Sequence, residues 1–237
     1  MRLSDFPVLT LDCYGTLIDW ESGIWQALQP LAARSGTAPS RDAALAQFGA
    51  AESAQERETP GLVYSTLLAR VHRRLAAAWG VAADEAQAEA FGASVGDWPA
   101  FADSAAALAY LAGFYKLVIL SNVDRASFAL SNRKLGVDFF AIYTAEDVGS
   151  YKPDPRNFRF MLDRLAGAGH RPGDILHVAQ SLYHDHVPAN RAGLASAWID
   201  RRQGAGGGAT PPADLSVHYD FRFGSLGELA EAHRAEQ

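Results

Sequence analysis

The feature that most limits the fold is a set of short apolar runs that do not alternate: VLTL at 8–11, KLVILS at 116–121, AIYT at 141–144, ILHVA at 175–179 and ASAWI at 195–199, with YDFRF at 219–223 as a further candidate. A strand with one wet face alternates apolar and polar residues, so continuous runs mark parallel strands covered on both faces. Helical segments separate them: DSAAALAYLAGF, RASFALSNRKLG, NFRFMLDRLAGAG, HVPANRAG and SLGELAEAHRAE. Strand and helix in repetition predict an α/β fold, a doubly wound parallel sheet.

Residues 20–98 break that rhythm. They are rich in Ala, Leu, Gln, Arg and Glu, with apolar residues at helical spacing and no clear strand, so they read as a helical insertion after the first strand. GDWPA at 96–100 returns the chain to the sheet, because the residue before a proline resists helix. QGAGGGATPPAD at 203–214 reads as a surface loop, since its glycines do not lie between a strand and a helix as a phosphate-binding turn requires.

With 237 residues the chain can form one large domain, or a core with a smaller one appended. Its single cysteine, Cys13, excludes an internal disulfide and a cysteine zinc cluster and suits a reducing cytoplasm. MRLSDFP lacks the apolar core of a signal peptide and no stretch is apolar enough to span a membrane, so the expected location is cytoplasmic. A net charge of −6, from 21 basic and 27 acidic residues, argues against a nucleic-acid partner, and Arg70, Arg73 and Arg74 read as a solvated helix face.

In an open parallel sheet, ligands gather beyond the carboxyl ends of the strands. Those ends here carry Asp12, then Ser121 and Asn122, then Lys152, then Asp185. Singly, each could cap a helix or shape a turn. Together they supply a carboxylate, a hydroxyl beside an amide, an amine and a second carboxylate, in chain order. LDCYGTLID, ILSN, GSYKPDP and HVAQSLYHDHVPANRAG resemble the four motifs of the haloacid dehalogenase superfamily, across the chain from residue 8 to about 200.

The resemblance implies a core domain of 1–19 and 99–237 with a helical cap domain of 20–98 inserted after the first strand. It also implies catalytic roles for Asp12, Lys152, Asp185 and Ser121. Asp12 forms a covalent ester, Lys152 holds Asp12 and Asp185 together, and Asp185 orients the water that cleaves the ester. Ser121, Asn122 and Thr16 donate to the substrate or the departing group. The physical sense is direct, since a carboxylate in a dry cleft beside an ammonium is held ionised and oriented.

Most of the superfamily are phosphatases, with an acid two residues after the nucleophile and a magnesium-binding aspartate in the fourth motif. Here Tyr14 and Gln180 stand at those places. An unperturbed tyrosine, with a pKa of roughly 10, cannot protonate a leaving group as a carboxylic acid does, and a neutral amide is a poor magnesium ligand. The chain therefore resembles the metal-independent 2-haloacid dehalogenases, which implies no cofactor and no metal. Tyr14 then lines the pocket wall, and Ser181 joins the substrate contacts.

The chain departs from those enzymes where they bind substrate. The early insertion offers Glu52, Glu56, Arg57 and Glu58 instead of a clear halide-binding arginine. Phe158 replaces an expected tyrosine, Leu182 replaces an asparagine, and His184 is added. Read with DCYGTLIDWE and SLYHDHVPAN, these changes resemble a relative in the same branch, the hydrolases that open L-azetidine-2-carboxylate, and Glu52 or a neighbouring acid would then meet the substrate nitrogen. His184 and His186 read as structural or hydrogen-bonding residues rather than metal ligands. Trp20, Trp25, Phe48, Tyr64 and Trp98 divide between the insertion's core and the pocket lining. The expected partner is a small carboxylate substrate, with no nucleic acid and no membrane, and a homodimer is allowed. A magnesium-dependent phosphatase and a non-catalytic binding protein are the competing readings.

Overall fold

The computed structural model describes residues 1–36, 38–203, 209 and 217–237. Apart from Gln203 and Ala209, the 203–214 loop lies outside the described residues. Six strands, β1 (Val8–Leu11), β2 (Lys116–Ser121), β3 (Ala141–Thr144), β4 (Ile175–Ala179), β5 (Ala195–Ile199) and β6 (Phe221–Phe223), form one parallel sheet in the order β3-β2-β1-β4-β5-β6. β6 begins two residues later than YDFRF suggests. The Asp220 carboxylate accepts from the Ser196 backbone N–H at 2.8 Å, so ladder pairing starts beyond it.

The helices are α1 (Trp20–Ala32), α2 (Arg41–Glu58), α3 (Tyr64–Ala78), α4 (Glu85–Ala93), α5 (Ser104–Leu111), α6 (Arg125–Leu135), α7 (Ala145–Val148), α8 (Pro155–Gly167), α9 (Val187–Arg191) and α10 (Leu226–Ala235). Side chains alternate across a strand, so each apolar run supplies two layers. Leu9, Leu11, Leu117, Ile119, Leu176 and Val178 belong to one core with Leu108 and Leu111 of α5, Phe128 of α6 and Leu229 of α10. Val8, Val118, Leu120 and Ile175 belong to the other, with Phe158, Met161 and Leu165 of α8 and Ala189 of α9. Continuous burial of β1 and β4 is the sum of the two. None of the helices among the described residues is long and apolar enough to cross a membrane.

α1 to α4 follow β1 with no strand among them. Side chains of Asp19, Ser40 and Asp84 cap the starts of α1, α2 and α4, each accepting a backbone N–H of the first turn. The chain enters and leaves this helical segment through two crossings that lie side by side. Asp19 N donates to Pro99 O at 2.8 Å and Phe101 N to Leu17 O at 3.0 Å. The entry turn needs Gly15, whose φ of +96° is a conformation other residues rarely adopt. A side chain there would also press on Gln180 and Trp20, at 3.1 Å from each.

Candidate active site

The strand order reverses between β1 and β4, and the crevice beyond their carboxyl ends is where polar groups converge. Asp12 N donates to Val178 O at 3.0 Å, carrying the β1 ladder one residue past the strand and fixing the Asp12 backbone. Lys152, on the loop between α7 and α8, reaches back under the sheet edge. Its Nζ donates to Asp12 Oδ1 at 2.9 Å, Asp185 Oδ1 at 2.7 Å and Leu120 O at 2.9 Å, which uses all three ammonium hydrogens. Asp185 is held by a single π-helical turn, Leu182–His186, in which the His184 backbone N–H is met by the Ser181 hydroxyl. The sequence pattern suggested an ordinary helix from His186 onward. The wider turn instead lets the Asp185 and His186 backbone N–H groups both reach Ser181 O, which sets the carboxylate beside Lys152.

Lys152 is 2 % exposed, with Asp185 at 1 % and Asp12 at 6 %. Burial by itself would lower the Lys152 pKa, but the flanking Asp12 and Asp185 carboxylates overcome it and hold the ammonium charged well above its usual range. Burial would likewise raise Asp185, and the Lys152 charge with the His177 hydrogen bond reverses that and keeps it ionised. One ammonium compensates one carboxylate. Asp12 is the one left short, so burial raises it above an ordinary aspartate despite Lys152 and a 2.6 Å hydrogen bond from Thr16. A raised pKa means a more basic, more nucleophilic carboxylate.

The cleft over this triad encloses about 470 Å³, counting its open mouth. Asp12, Tyr14, Trp20, Glu52, Glu56, Tyr64, Asn122, Val123, Lys152, Gln180, Ser181, His184 and Asp185 line it. Asp12, Lys152 and Asp185 therefore meet as expected, and Tyr14, Asn122, Ser181 and Glu52 lie on the wall. Two expected contacts differ. Thr16 is fully buried and off the wall, because its hydroxyl donates to Asp12 Oδ2 and accepts from Gln180 N at 2.9 Å, so it orients the carboxylate rather than the substrate. Ser121 is buried beneath the wall, and its hydroxyl has no hydrogen-bond partner among the described residues. Asn122 clamps the lysine loop, with Oδ1 accepting from Lys152 N at 2.6 Å and Nδ2 donating to Lys152 O at 3.0 Å. Tyr14 shows its ring to the cleft while its hydroxyl bonds Ser131 at 2.8 Å.

α2 and α3 form the opposite wall. Glu52 accepts from the Tyr64 hydroxyl at 2.6 Å, and burial pushes its carboxyl up to about 7. Glu56, one turn on, is pushed well up by burial and by the Glu52 charge. Tyr64 and Trp20 are the lining aromatics, whereas Phe48 and Trp98 pack in the core and Trp25 only partly covers it. His184 faces the cleft, and burial lowers it to about 4, so it is a neutral imidazole. His186 is structural, bonded to Ser196 and to Ala179 O. The spacing of Glu52 and Glu56 could have marked the pair in advance. Like charges four apart on a helix repel unless something stands before them.

A profile of haloacid dehalogenase-like hydrolases matches residues 6–193. The chain belongs to this family. No protein of curated function matches the sequence. Solved structures share the fold. An L-2-haloacid dehalogenase from Xanthobacter autotrophicus is 19 % identical with a TM-score of 0.76, over 98 % of this chain and 100 % of that one. A defluorinating L-2-haloacid dehalogenase is 21 % identical with a TM-score of 0.79, over 99 % of each chain. YfnB of Bacillus subtilis, a putative HAD-hydrolase bound to magnesium, is 19 % identical with a TM-score of 0.76, over 99 % and 100 %.

A magnesium ion suits the residues of this family member poorly. Among the described residues no three of His, Cys, Asp and Glu are grouped to hold a cation. Asp12 and Asp185 already share the Lys152 ammonium, and at the place of a third carboxylate stands Gln180, whose side chain is a neutral amide and whose backbone carbonyl accepts from Trp198 Nε1 at 2.9 Å. A hard dication prefers anionic oxygens, and this set offers none that is uncompensated beyond Asp12.

Proposed function

We propose that this family member is a hydrolase whose Asp12 attacks the sp3 carbon next to a substrate carboxylate. The observation that carries the reading is the Lys152 ammonium bonded at once to Asp12 and Asp185, with Asp185 Oδ2 buried and unpartnered. An Asp12 oxygen forms a C–O bond as the bond to the leaving group breaks and the leaving group keeps the electron pair. Water then adds to the Asp12 carbonyl carbon, Asp185 takes its proton, and the hydroxy acid departs with the oxygen first supplied by Asp12 and with the proton returned from Asp185. Asn122 and Ser181 line the cleft, where they can meet the leaving group or the substrate carboxylate, and Ser121 lies buried beneath that wall. The Xanthobacter relative, solved with chloropropionic acid covalently bound, supports an ester intermediate on this fold.

The helical segment 20–98 acts in this reading as a cap over the cleft. Ser65 N donates to Asp124 at 3.1 Å and the Tyr151 hydroxyl to Leu62 O, so the walls are joined across the opening.

Two leaving groups fit the chemistry. The dehalogenase relatives favour a halide, as in an (S)-2-haloacid. The charge of this wall favours the strained C–N bond of L-azetidine-2-carboxylate. Four carboxyl groups, Asp12, Glu52, Glu56 and Asp185, face one cation, Lys152, and His184 is neutral. A haloacid brings a further negative charge and no positive one, whereas an ammonium-bearing ring can meet Glu52 and Glu56. A panel decides: L-2-chloropropionate, fluoroacetate, L-azetidine-2-carboxylate, and p-nitrophenyl phosphate with and without magnesium. Ring-opened product or free halide without added metal is expected. Magnesium-dependent phosphate release with neither would overturn the proposal, and no turnover with intact binding would favour a binding protein.

A further inference from the structure

The apolar layer between the sheet and α8 contains two polar side chains that the chemistry above does not use. Thr10 of β1 and His177 of β4 are register partners on adjacent strands, each with no exposed surface, in a face otherwise built of Val8, Val118, Leu120 and Ile175. Phe158 packs edge-on against the imidazole at 5.0 Å between ring centres. Burying a histidine and a threonine among aliphatic groups is costly unless every polar atom is matched. Here they are matched in a line. Thr10 Oγ1 lies 2.9 Å from His177 Nδ1, and His177 Nε2 lies 3.1 Å from Asp185 Oδ1.

The direction of the line follows from its end. Asp185 is held ionised and can only accept, so Nε2 carries the hydrogen and donates. In a neutral ring Nδ1 is then the acceptor, and the Thr10 hydroxyl donates to it. Oδ1 of Asp185 thus receives two donors, Lys152 and His177, from different sides. A carboxylate fixed at one oxygen by two donors cannot turn about its side-chain bonds. Oδ2 is left as the one oxygen of the triad without a partner.

We propose that His177, set in its tautomer by Thr10, is a positioning residue for the second half-reaction: it holds Asp185 so that Oδ2 meets the water that cleaves the Asp12 ester. The inference rests on the proposed ester chemistry and extends it to residues outside the cleft. It makes the two halves of the reaction separable. Ester formation needs Asp12 and Lys152, whose own contacts do not involve His177. Ester cleavage needs Asp185 in one orientation.

The test compares wild type with His177→Leu, His177→Gln and Thr10→Val, using whichever of L-2-chloropropionate and L-azetidine-2-carboxylate wild type turns over. Rapid-quench kinetics gives the first-turnover burst, read as halide released from the haloacid or as substrate consumed for the ring, whose amine stays on the ester, and mass spectrometry of the Asp12 peptide gives the trapped ester. His177→Leu should keep the burst rate within about threefold while steady-state turnover falls on the order of 100-fold and the ester accumulates. His177→Gln, which retains a donor, should recover about tenfold of that loss, and Thr10→Val should show a milder form of the same split. Should His177→Leu not fold, the other two variants decide. Burst and turnover falling together, or no accumulated ester in any variant, would overturn the role of His177. Asp185→Asn is the control for the underlying chemistry: if it too accumulates no ester, the Asp12 nucleophile fails, whatever His177 does.

Discussion

Asn122 and Lys152 are joined twice, side chain to backbone: the amide oxygen of Asn122 accepts from Lys152 N at 2.6 Å and its nitrogen donates to Lys152 O at 3.0 Å. The amide cannot be reversed without losing both bonds. It ties the end of β2 to the loop that carries the ammonium, so the charge at the centre of the site depends on a residue that need not touch substrate.

Asn122→Asp should therefore cost more than Asn122→Ala. Alanine removes two bonds, lowering kcat by about tenfold as the ammonium loses its fixed origin. Aspartate sets an acceptor against Lys152 O and adds a negative charge beside Glu56, and kcat should fall by a further factor of roughly ten. Steady-state kinetics of the two variants, with circular dichroism to confirm the fold, checks the order.

Lys152→Met should destabilise the protein by about 3–5 kcal/mol at neutral pH, because two buried carboxylates lose their shared counter-charge. The sign of the pH dependence follows. Without the ammonium the folded pKa values of Asp12 and Asp185 rise above that of an unfolded aspartate, so the folded state binds more protons and gains stability as pH falls. The gap in Tm from wild type should narrow between about pH 8 and about pH 5. A constant gap would mean that the carboxylates do not repel.

The acid limb of kcat/KM should lie above the range of an ordinary aspartate. In the proposed reaction Asp12 acts when ionised, and burial raises its pKa, so activity should be lost on acidification earlier than for an exposed group. A pH profile on the preferred substrate tests this, and a limb at or below the ordinary aspartate value of about 4 would refute it.

Glu52 gives the clearest separation of binding from folding. With its carboxyl at about 7, the ionised form that would hold an ammonium appears as pH rises through neutrality. For L-azetidine-2-carboxylate, kcat/KM should climb through that window, and Glu52→Gln should abolish the climb through KM. For stability the sign is opposite. A carboxyl raised by burial loses folded-state stability as pH rises from the unfolded value toward the folded one, so Glu52→Gln should be the more stable protein at about pH 8, on the order of 2 kcal/mol, and equal to wild type near pH 4. Calorimetry at the two pH values checks it.

The parallel sheet and the meeting of Asp12, Lys152 and Asp185 were legible in the sequence because continuous apolar runs mark covered parallel strands and such strands present their carboxyl ends to one crevice. The partners of a hydroxyl or amide were not. Thr16 was expected to face substrate and instead binds Asp12, and Asn122, though on the wall, also clamps the Lys152 backbone, choices made by rotamers that no spacing reveals. Thr10 and His177 escaped notice for another reason. Each was absorbed into a run read as apolar throughout, and only the register that sets them opposite each other on a covered face gives them a role.

The paired crossings at Asp19–Pro99 and Leu17–Phe101 have a consequence for how such a chain can diversify. Whatever length of polypeptide is strung between two points already in contact, closing it adds little entropy cost and disturbs no strand register. The helices that carry Glu52, Glu56 and Tyr64 thus form an exchangeable cassette, and a new wall can be grafted at this junction while Asp12 and the Lys152 ammonium stay where they are.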